Sequence, residues 1–227
     1  MTLPHSDVLS PLYAIVDVRP DSGDGSPGLD PLAQTAALLA AGVDLIQLRA
    51  KHLTVRDTYE LARAMGEKIH AAGARFAVND RPDIARAVDA DVLHLGQDDI
   101  PPSAARTMFH GIIGLSTHDI RQVRQAMEEP VDYIGFGPVF TTVSKANPDP
   151  VTGLHGLVEA VGASRVPVVG IGGIGLSEAE AVLGTGAASV AVIGALQAAT
   201  RDDVIVQAEI LLDRCLNAMV RNGGANS

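Results

Sequence analysis

One strand-helix phrase recurs along the chain, and the number of its copies limits the fold more than any other feature. A small or acidic residue leads into a short apolar run that ends in glycine or a polar group, as at 42–48, 90–95, 131–136 and 187–193. Four degenerate copies indicate one supersecondary unit used repeatedly. Between them, 13–17, 75–79, 112–116 and 166–172 are short, β-branched and bounded by turn residues, which brings the predicted strands to eight. The connecting segments have helical spacing. Their start signals are Asp30-Pro31, Thr54 with Asp57, Pro101-Pro102-Ser103, and Ser177 with Glu180 as a capping box; Gly42, Gly73 and Gly186 close three of them.

Eight alternating units close a parallel sheet on itself, whereas an open doubly wound sheet usually has fewer strands and a reversal of strand order. The sequence therefore predicts an α/β chain folded as a single (β/α)₈ TIM barrel over 1–221. The polar, glycine-rich end, 222–227, has nothing to bury and is expected to be a disordered tail. Hydrophobic residues make up 47% of the chain and aromatic ones only 3%, so the core must be built from Ala, Val, Leu and Ile, as parallel strands buried on both faces require. A net charge of −10 argues against nucleic acid or an anionic membrane surface as a partner. No basic start leads into an apolar leader, no run is long enough to span a bilayer, and the lone Cys215 allows no internal disulfide. The expected location is the cytoplasm, and Cys215 is expected to be a small buried hydrophobe in the C-terminal helix. The sequence leaves a homo-oligomer open.

In such a barrel the strand C-termini line one mouth, so polar strand ends far apart in sequence become neighbours. At the second strand end, alternation puts Gln47, Arg49 and Lys51 on one side and Leu48 and Ala50 on the other. Three donors, two of them cationic, suit phosphate oxygens. Asn79-Asp80 and Gln97-Asp98-Asp99 end consecutive strands with hard oxygen ligands. Magnesium favours one or two carboxylates completed by substrate phosphates and water, a description that Asp80 and Asp99 fit. Alternation sets Asp98 on the opposite side from Asp99 and leaves it out. Each aspartate alone reads equally well as a helix N-cap.

The sixth strand end continues as Gly137-Pro138-Val139-Phe140-Thr141-Thr142-Val143-Ser144-Lys145. Its hydroxyls can bind anionic oxygens, and Lys145 can neutralise charge growing on a leaving group. Gly170, Gly172, Gly173 and Gly175 close the seventh strand and Ile193-Gly194 the eighth, where this fold commonly cradles phosphate. Their spacing fits a dinucleotide fingerprint by letter only, because no second strand with an acidic ribose ligand follows. Ser116 ends the fifth strand within reach of a bound heterocycle. His118 reads as a helix cap, and His52, His94 and His155 have no ligand-spaced partner. Segments 19–28 and 141–153 are longer than connection demands; 141–153 is expected to cover the mouth, whereas 19–28 reads more readily as an uninvolved surface loop.

The ordered motifs QLRxK, VND, HLGQxD, GxSTH, GPVFxTxSK and IGGI resemble the thiamine phosphate synthase family over roughly residues 13–212. That family joins a hydroxymethylpyrimidine diphosphate to a thiazole phosphate and releases diphosphate. The resemblance implies that Gln47, Leu48, Arg49, Ala50 and Lys51, with Asn79, Ser116 and Lys145, bind the pyrimidine diphosphate. Of these, Arg49, Lys51, Ser116 and Lys145 are implied to be catalytic. It implies Mg²⁺ on Asp80 and Asp99, and a thiazole phosphate site made by Thr142, Val143, Ser144, Gly173, Ile193 and Gly194. The implied partners are small phosphorylated heterocycles. Ala50 stands where the family usually has an acidic residue, Gly194 where it often has serine, and 146–154 departs from the family pattern. Two other readings compete: a thiazole tautomerase of the same ancestry, using His118 as acid and base, and a non-catalytic sensor of phosphorylated ligands. Asp80, Asp99, Arg49 and Lys145 together favour the synthase.

Overall fold

Along each strand, alternate residues enter two different apolar environments. On the first strand Leu12, Ala14 and Val16 pack outward against helices, whereas Tyr13 and Ile15 pack inward; Ile134 and Phe136 face out where Tyr133 faces in. A strand buried on both faces in this way belongs to a closed sheet with helices around it.

The computed structural model describes residues 9–19, 29–142 and 149–224. Its strands β1 (Leu12–Asp17), β2 (Leu45–Arg49), β3 (Arg75–Asn79), β4 (Val92–Leu95), β5 (Ile112–Thr117), β6 (Tyr133–Phe136), β7 (Val168–Ile171) and β8 (Ser189–Val192) form a closed barrel in sequence order. All pairings are parallel, and β8 returns to β1 through Tyr13 opposite Ala191. The crossovers are helices α1 (Pro31–Ala40), α2 (Val55–Ala71), α3 (Pro82–Ala87), α4 (Pro102–Ala105), α5 (Ile120–Ala126), α6 (Gly153–Ala163) and α7 (Ala179–Leu183); α8 (Arg201–Gly224) follows the last strand. The eight predicted strands are all present, shortened or extended by up to three residues at their ends.

The helices stand on the outer faces of the strands, where Phe76, Leu93, Leu95 and Ile113 meet Met65, Ile69, Ile84 and Val123. Each large apolar side chain fully buried here contributes about 1.5–3 kcal/mol. Gly170 sets how closely α7 approaches, because a Cβ there would lie 2.5 Å from Val182 Cγ1. Asp30 caps α1 by accepting from Ala33 N at 3.0 Å, and Thr54 caps α2 by accepting from Asp57 N at 3.2 Å. Gly42, Gly73 and Gly186 follow their helices at φ +84°, +74° and +91°, the left-handed stop expected of them.

Two expectations fail. The Ser177–Glu180 capping box does not form: Glu178 takes both nearby donors, Gly175 N at 2.9 Å and Ser177 Oγ at 2.6 Å, and α7 begins only at Ala179. The expected tail from 222 is shorter, because α8 runs to Gly224. Asn222 Nδ2 donates to Leu183 O at 3.0 Å and Arg221 pairs with Glu180 at 3.1 Å, so α7 holds this end down; 225–227 lie outside the described residues. Cys215 is fully buried in the outer core, as expected. Among the described residues no helix is long and apolar enough to cross a membrane.

Candidate active site

Inward-facing side chains fill the barrel from below with Leu45, Ala77, Val92 and Val169, and turn polar toward the strand C-termini. Two adjoining cavities open there. The first, about 470 Å³, takes its polar wall from Gln47, Arg49, Lys51, Asn79, Asp80 and Asp99. The second, about 330 Å³, is walled by Thr142, Gly172, Gly173 and Gly194. Ser116, His118, Ile171, Ala191 and Ile193 line both and form the boundary between them.

Strand alternation brings Gln47 and Arg49 into the first cavity, with Lys51 just beyond the end of β2. Leu48 goes the other way. It is 1% exposed in the sheet–helix layer, and Ala50 packs against the same layer, so neither side chain lines a cavity and only their backbone is offered to a ligand. Arg49 is oriented by a residue that the motifs did not single out: its Nη1 lies 2.5 Å from Asp17 Oδ1, while Arg19 Nε reaches Asp17 Oδ2 at 3.1 Å. Asp17 ends β1 as a carboxylate after an apolar run, the same strand-end signal that marks Asp80.

Asp80 sits at φ +63°, a left-handed conformation that aspartate tolerates better than most residues, and Lys51 Nζ lies 2.9 Å from its Oδ2. Asp99 accepts from Gly96 N at 2.7 Å and is hydrogen-bonded to Asp80. Burial, and then that shared hydrogen bond, push the Asp99 carboxyl up to about 6. Two neighbouring carboxyl groups at a cavity wall, one of them holding its proton unusually tightly, can give that proton up for a cation. Asp98 is not on the far side. The strand stops at Leu95, so 97–99 is a turn to which alternation does not apply, and Asp98 lines the same cavity.

Beneath the cavity runs an unbroken line of side-chain hydrogen bonds. Gln47 Nε2 donates to Tyr13 Oη at 2.7 Å, Tyr13 and Tyr133 hydroxyls meet at 3.2 Å, Tyr133 Oη lies 2.9 Å from His94 Nδ1, and His94 Nε2 lies 2.9 Å from Ser116 Oγ. Burial raises the Tyr13 phenol to about 12 and Tyr133 well above its usual value, so both remain protonated. His94, read from the sequence as having no ligand-spaced partner, is the ring hydrogen-bonded to Ser116. Two signals pointed to it: alternation sets His94 on the inward side with Val92, and two of the three tyrosines also occupy inward positions.

His118 is not a helix cap. Asp119 caps α5 by accepting from Gln122 N at 2.7 Å, while His118 Nδ1 lies 2.6 Å from Gly137 O and its Nε2 3.5 Å from Asp149 Oδ2. A carbonyl only accepts, so Nδ1 carries the proton. On the second cavity, Gly173 is at φ +66° and a Cβ there would lie 2.4 Å from Thr141 O; a Cβ on Gly194 would meet nothing within 4 Å. Val143, Ser144 and Lys145, residues 143–148 of the segment 141–153 expected to cover the mouth, and residues 20–28 of the first long segment lie outside the described residues.

The chain matches known proteins over this whole barrel. A family model described as thiamine monophosphate synthase matches residues 12–196. The thiamine-phosphate synthase of Moorella thermoacetica is 43% identical over 187 residues, covering 82% of this chain and 87% of that protein. That of Archaeoglobus fulgidus is 44% identical over 170 residues, covering 75% and 80%. The solved thiamine phosphate pyrophosphorylase of Pyrococcus furiosus superposes with a TM-score of 0.78 at 33% identity, covering 91% of this chain and 96% of that one. By the family model and by these relatives, this chain belongs to the thiamine monophosphate synthase family.

Proposed function

We propose that the chain makes thiamine phosphate by transferring the pyrimidinylmethyl group of a hydroxymethylpyrimidine diphosphate to the ring nitrogen of a thiazole phosphate, releasing diphosphate. The observation that carries this reading is the pair of adjoining cavities with a common wall at Ser116 and His118, one rich in cations and carboxylates, the other in glycines and a hydroxyl. A group passing between two rings needs two pockets open to each other.

The bond from the methylene carbon to the diphosphate oxygen breaks with both electrons leaving on oxygen. The thiazole nitrogen lone pair then forms the new carbon–nitrogen bond. No general base is required. Arg49 (held by Asp17), Lys51 and Lys145 would stabilise charge growing on the diphosphate, and a loop closing over the open mouth would keep water from the cation. Asp80 and Asp99 suit Mg²⁺ because two carboxyls carried by consecutive strand ends line the same cavity close enough to influence each other. Among the described residues no third carboxylate, histidine or cysteine joins them, so substrate oxygens and water would fill the other positions. Bound there, the ion would neutralise the diphosphate. The buried, unpaired Cys215 fits a reducing compartment such as the cytoplasm.

The test is direct turnover. Purified protein given both phosphorylated heterocycles and magnesium should form thiamine phosphate and diphosphate in equal amounts. Conversion of the thiazole alone would favour a tautomerase, and ligand binding without any product a sensor.

A further inference from the structure

We propose that Gln47, Tyr13, Tyr133, His94 and Ser116 form a single directional hydrogen-bond relay that fixes His94 as its Nε2–H tautomer. The relay thereby presents Ser116 as a donor and Gln47 as an acceptor to the bound ring. The second half of this statement rests on the reading that the pyrimidine occupies the first cavity; the first half does not.

The direction follows from proton counting. The Gln47 amide nitrogen can only donate, so Tyr13 Oη accepts at 2.7 Å and turns its own proton to Tyr133, 3.2 Å away. Tyr133 has one proton, and with its oxygen already accepting, that proton goes to His94 Nδ1 at 2.9 Å. Nδ1 is then an acceptor, the ring proton sits on Nε2, and it is donated to Ser116 Oγ at 2.9 Å. The Ser116 hydroxyl proton is left to point into the cavity. Gln47 Oε1 has no partner among the described residues, and Gln47 lines the same cavity. Gln47 on β2 and Ser116 on β5 thus offer the first cavity one acceptor and one donor, the two kinds of partner that an aminopyrimidine needs for its exocyclic amine and a ring nitrogen.

The barrel is shaped to hold these rings. Tyr133 occupies space that a side chain on Gly114 would fill, since a Cβ there would lie 2.0 Å from Tyr133 Cζ. His94 stacks on Tyr133 with ring centroids 5.6 Å apart, and a Cβ on Gly135 would come within 3.3 Å of its Cε1. Burial keeps both phenols protonated, so neither breaks the line. His94 is thus a positioning residue that acts through Ser116.

The decisive measurement is a long-range ¹H–¹⁵N spectrum of the histidine rings in the full-length, ligand-free protein, with His94 assigned by the resonance missing from His94→Gln. The expected pattern has a protonated Nε2 and a bare Nδ1. A protonated Nδ1, or averaging between tautomers, overturns the relay, because reversing the Gln47 amide would reverse every donor in it. Tyr133→Phe removes the donor to Nδ1. It should raise KM for the pyrimidine diphosphate about tenfold, the value of one hydrogen bond, with KM for the thiazole phosphate unchanged. An unchanged pyrimidine KM overturns the recognition role. Absence of product from the parent protein would count against the proposed reaction and leave the tautomer result standing.

Discussion

Arg49 and Asp17 are register partners on adjacent strands, and their side chains meet at 2.5 Å where β1 and β2 open into the first cavity. The Asp17 side chain is 2% exposed and has no water as a substitute partner, whereas that of Arg49, at 16%, also faces the open cavity. Removing one partner of such a pair costs more than the pair itself contributes, because a buried charge is left behind. Arg49→Ala should therefore destabilise the fold by about 2–3 kcal/mol, at the low end because Arg19 still reaches Asp17. Asp17→Asn keeps the shape and frees the guanidinium. Its melting temperature should fall less than that of Arg49→Ala, while kcat/KM for the pyrimidine diphosphate drops about tenfold or more. Parent-like kinetics in Asp17→Asn would show that Arg49 does not depend on it.

Asp80 and Asp99 give a pH dependence whose sign can be worked out. In the metal-free protein Asp99 holds its proton up to about 6, above its ordinary 3.8. The folded state thus binds this proton more tightly than the unfolded chain. The resulting stability is full at pH below 3.8, declines as pH rises and is lost above about 6. At the proposed site magnesium would take the proton's place, so the rise in melting temperature on adding it should grow from about pH 5 to about pH 7. The same chelator that removes this rise should abolish turnover. Product formation undiminished in excess chelator would end the magnesium assignment.

Much of this was written in the pattern of strand ends. Parallel strands buried on both faces are short apolar runs, and their last inward residues are the first free to be polar, so Gln47, Arg49, Asn79 and Ser116 could be assigned to the mouth from spacing alone. Strand alternation failed at Asp98, where the strand had already ended, and the capping-box pattern failed at Ser177, where Glu178 took the capping donors. His94 and the two tyrosines were harder to see. Their roles come from contacts between β1, β4 and β6 across the barrel, and no local window of sequence contains both ends of such a contact.

Gly173 and Gly194, both on the second cavity, should respond oppositely to substitution. Gly173→Ala puts a methyl 2.4 Å from Thr141 O at φ +66°, so backbone must move. The expected cost is about 1–3 kcal/mol, with a raised KM for the thiazole phosphate. Gly194→Ser meets no atom within 4 Å, restores the residue that the family often carries, and adds a hydroxyl donor to the cavity wall. Its stability should stay within about 0.5 kcal/mol of the parent while KM for the thiazole phosphate falls. A Gly194→Ser protein with raised KM would mean that the phosphate lies against the bare backbone.

Lys145 lies three positions beyond Thr142, which lines the second cavity with Gly173, and in the proposed reaction its charge would matter most as diphosphate departs. An interaction made mainly in the transition state lowers kcat when removed and leaves ground-state binding nearly intact. Lys145→Ala should therefore lower kcat by about 10²-fold or more, with KM for either substrate changed only a few-fold. Lys145→Arg keeps the charge but replaces a mobile ammonium with a planar fork, and should recover part of the loss. Single-turnover kinetics with the pyrimidine diphosphate bound in excess enzyme would separate the chemical step from product release. A single-turnover rate equal to that of the parent would remove Lys145 from the departure step and assign it to release of product.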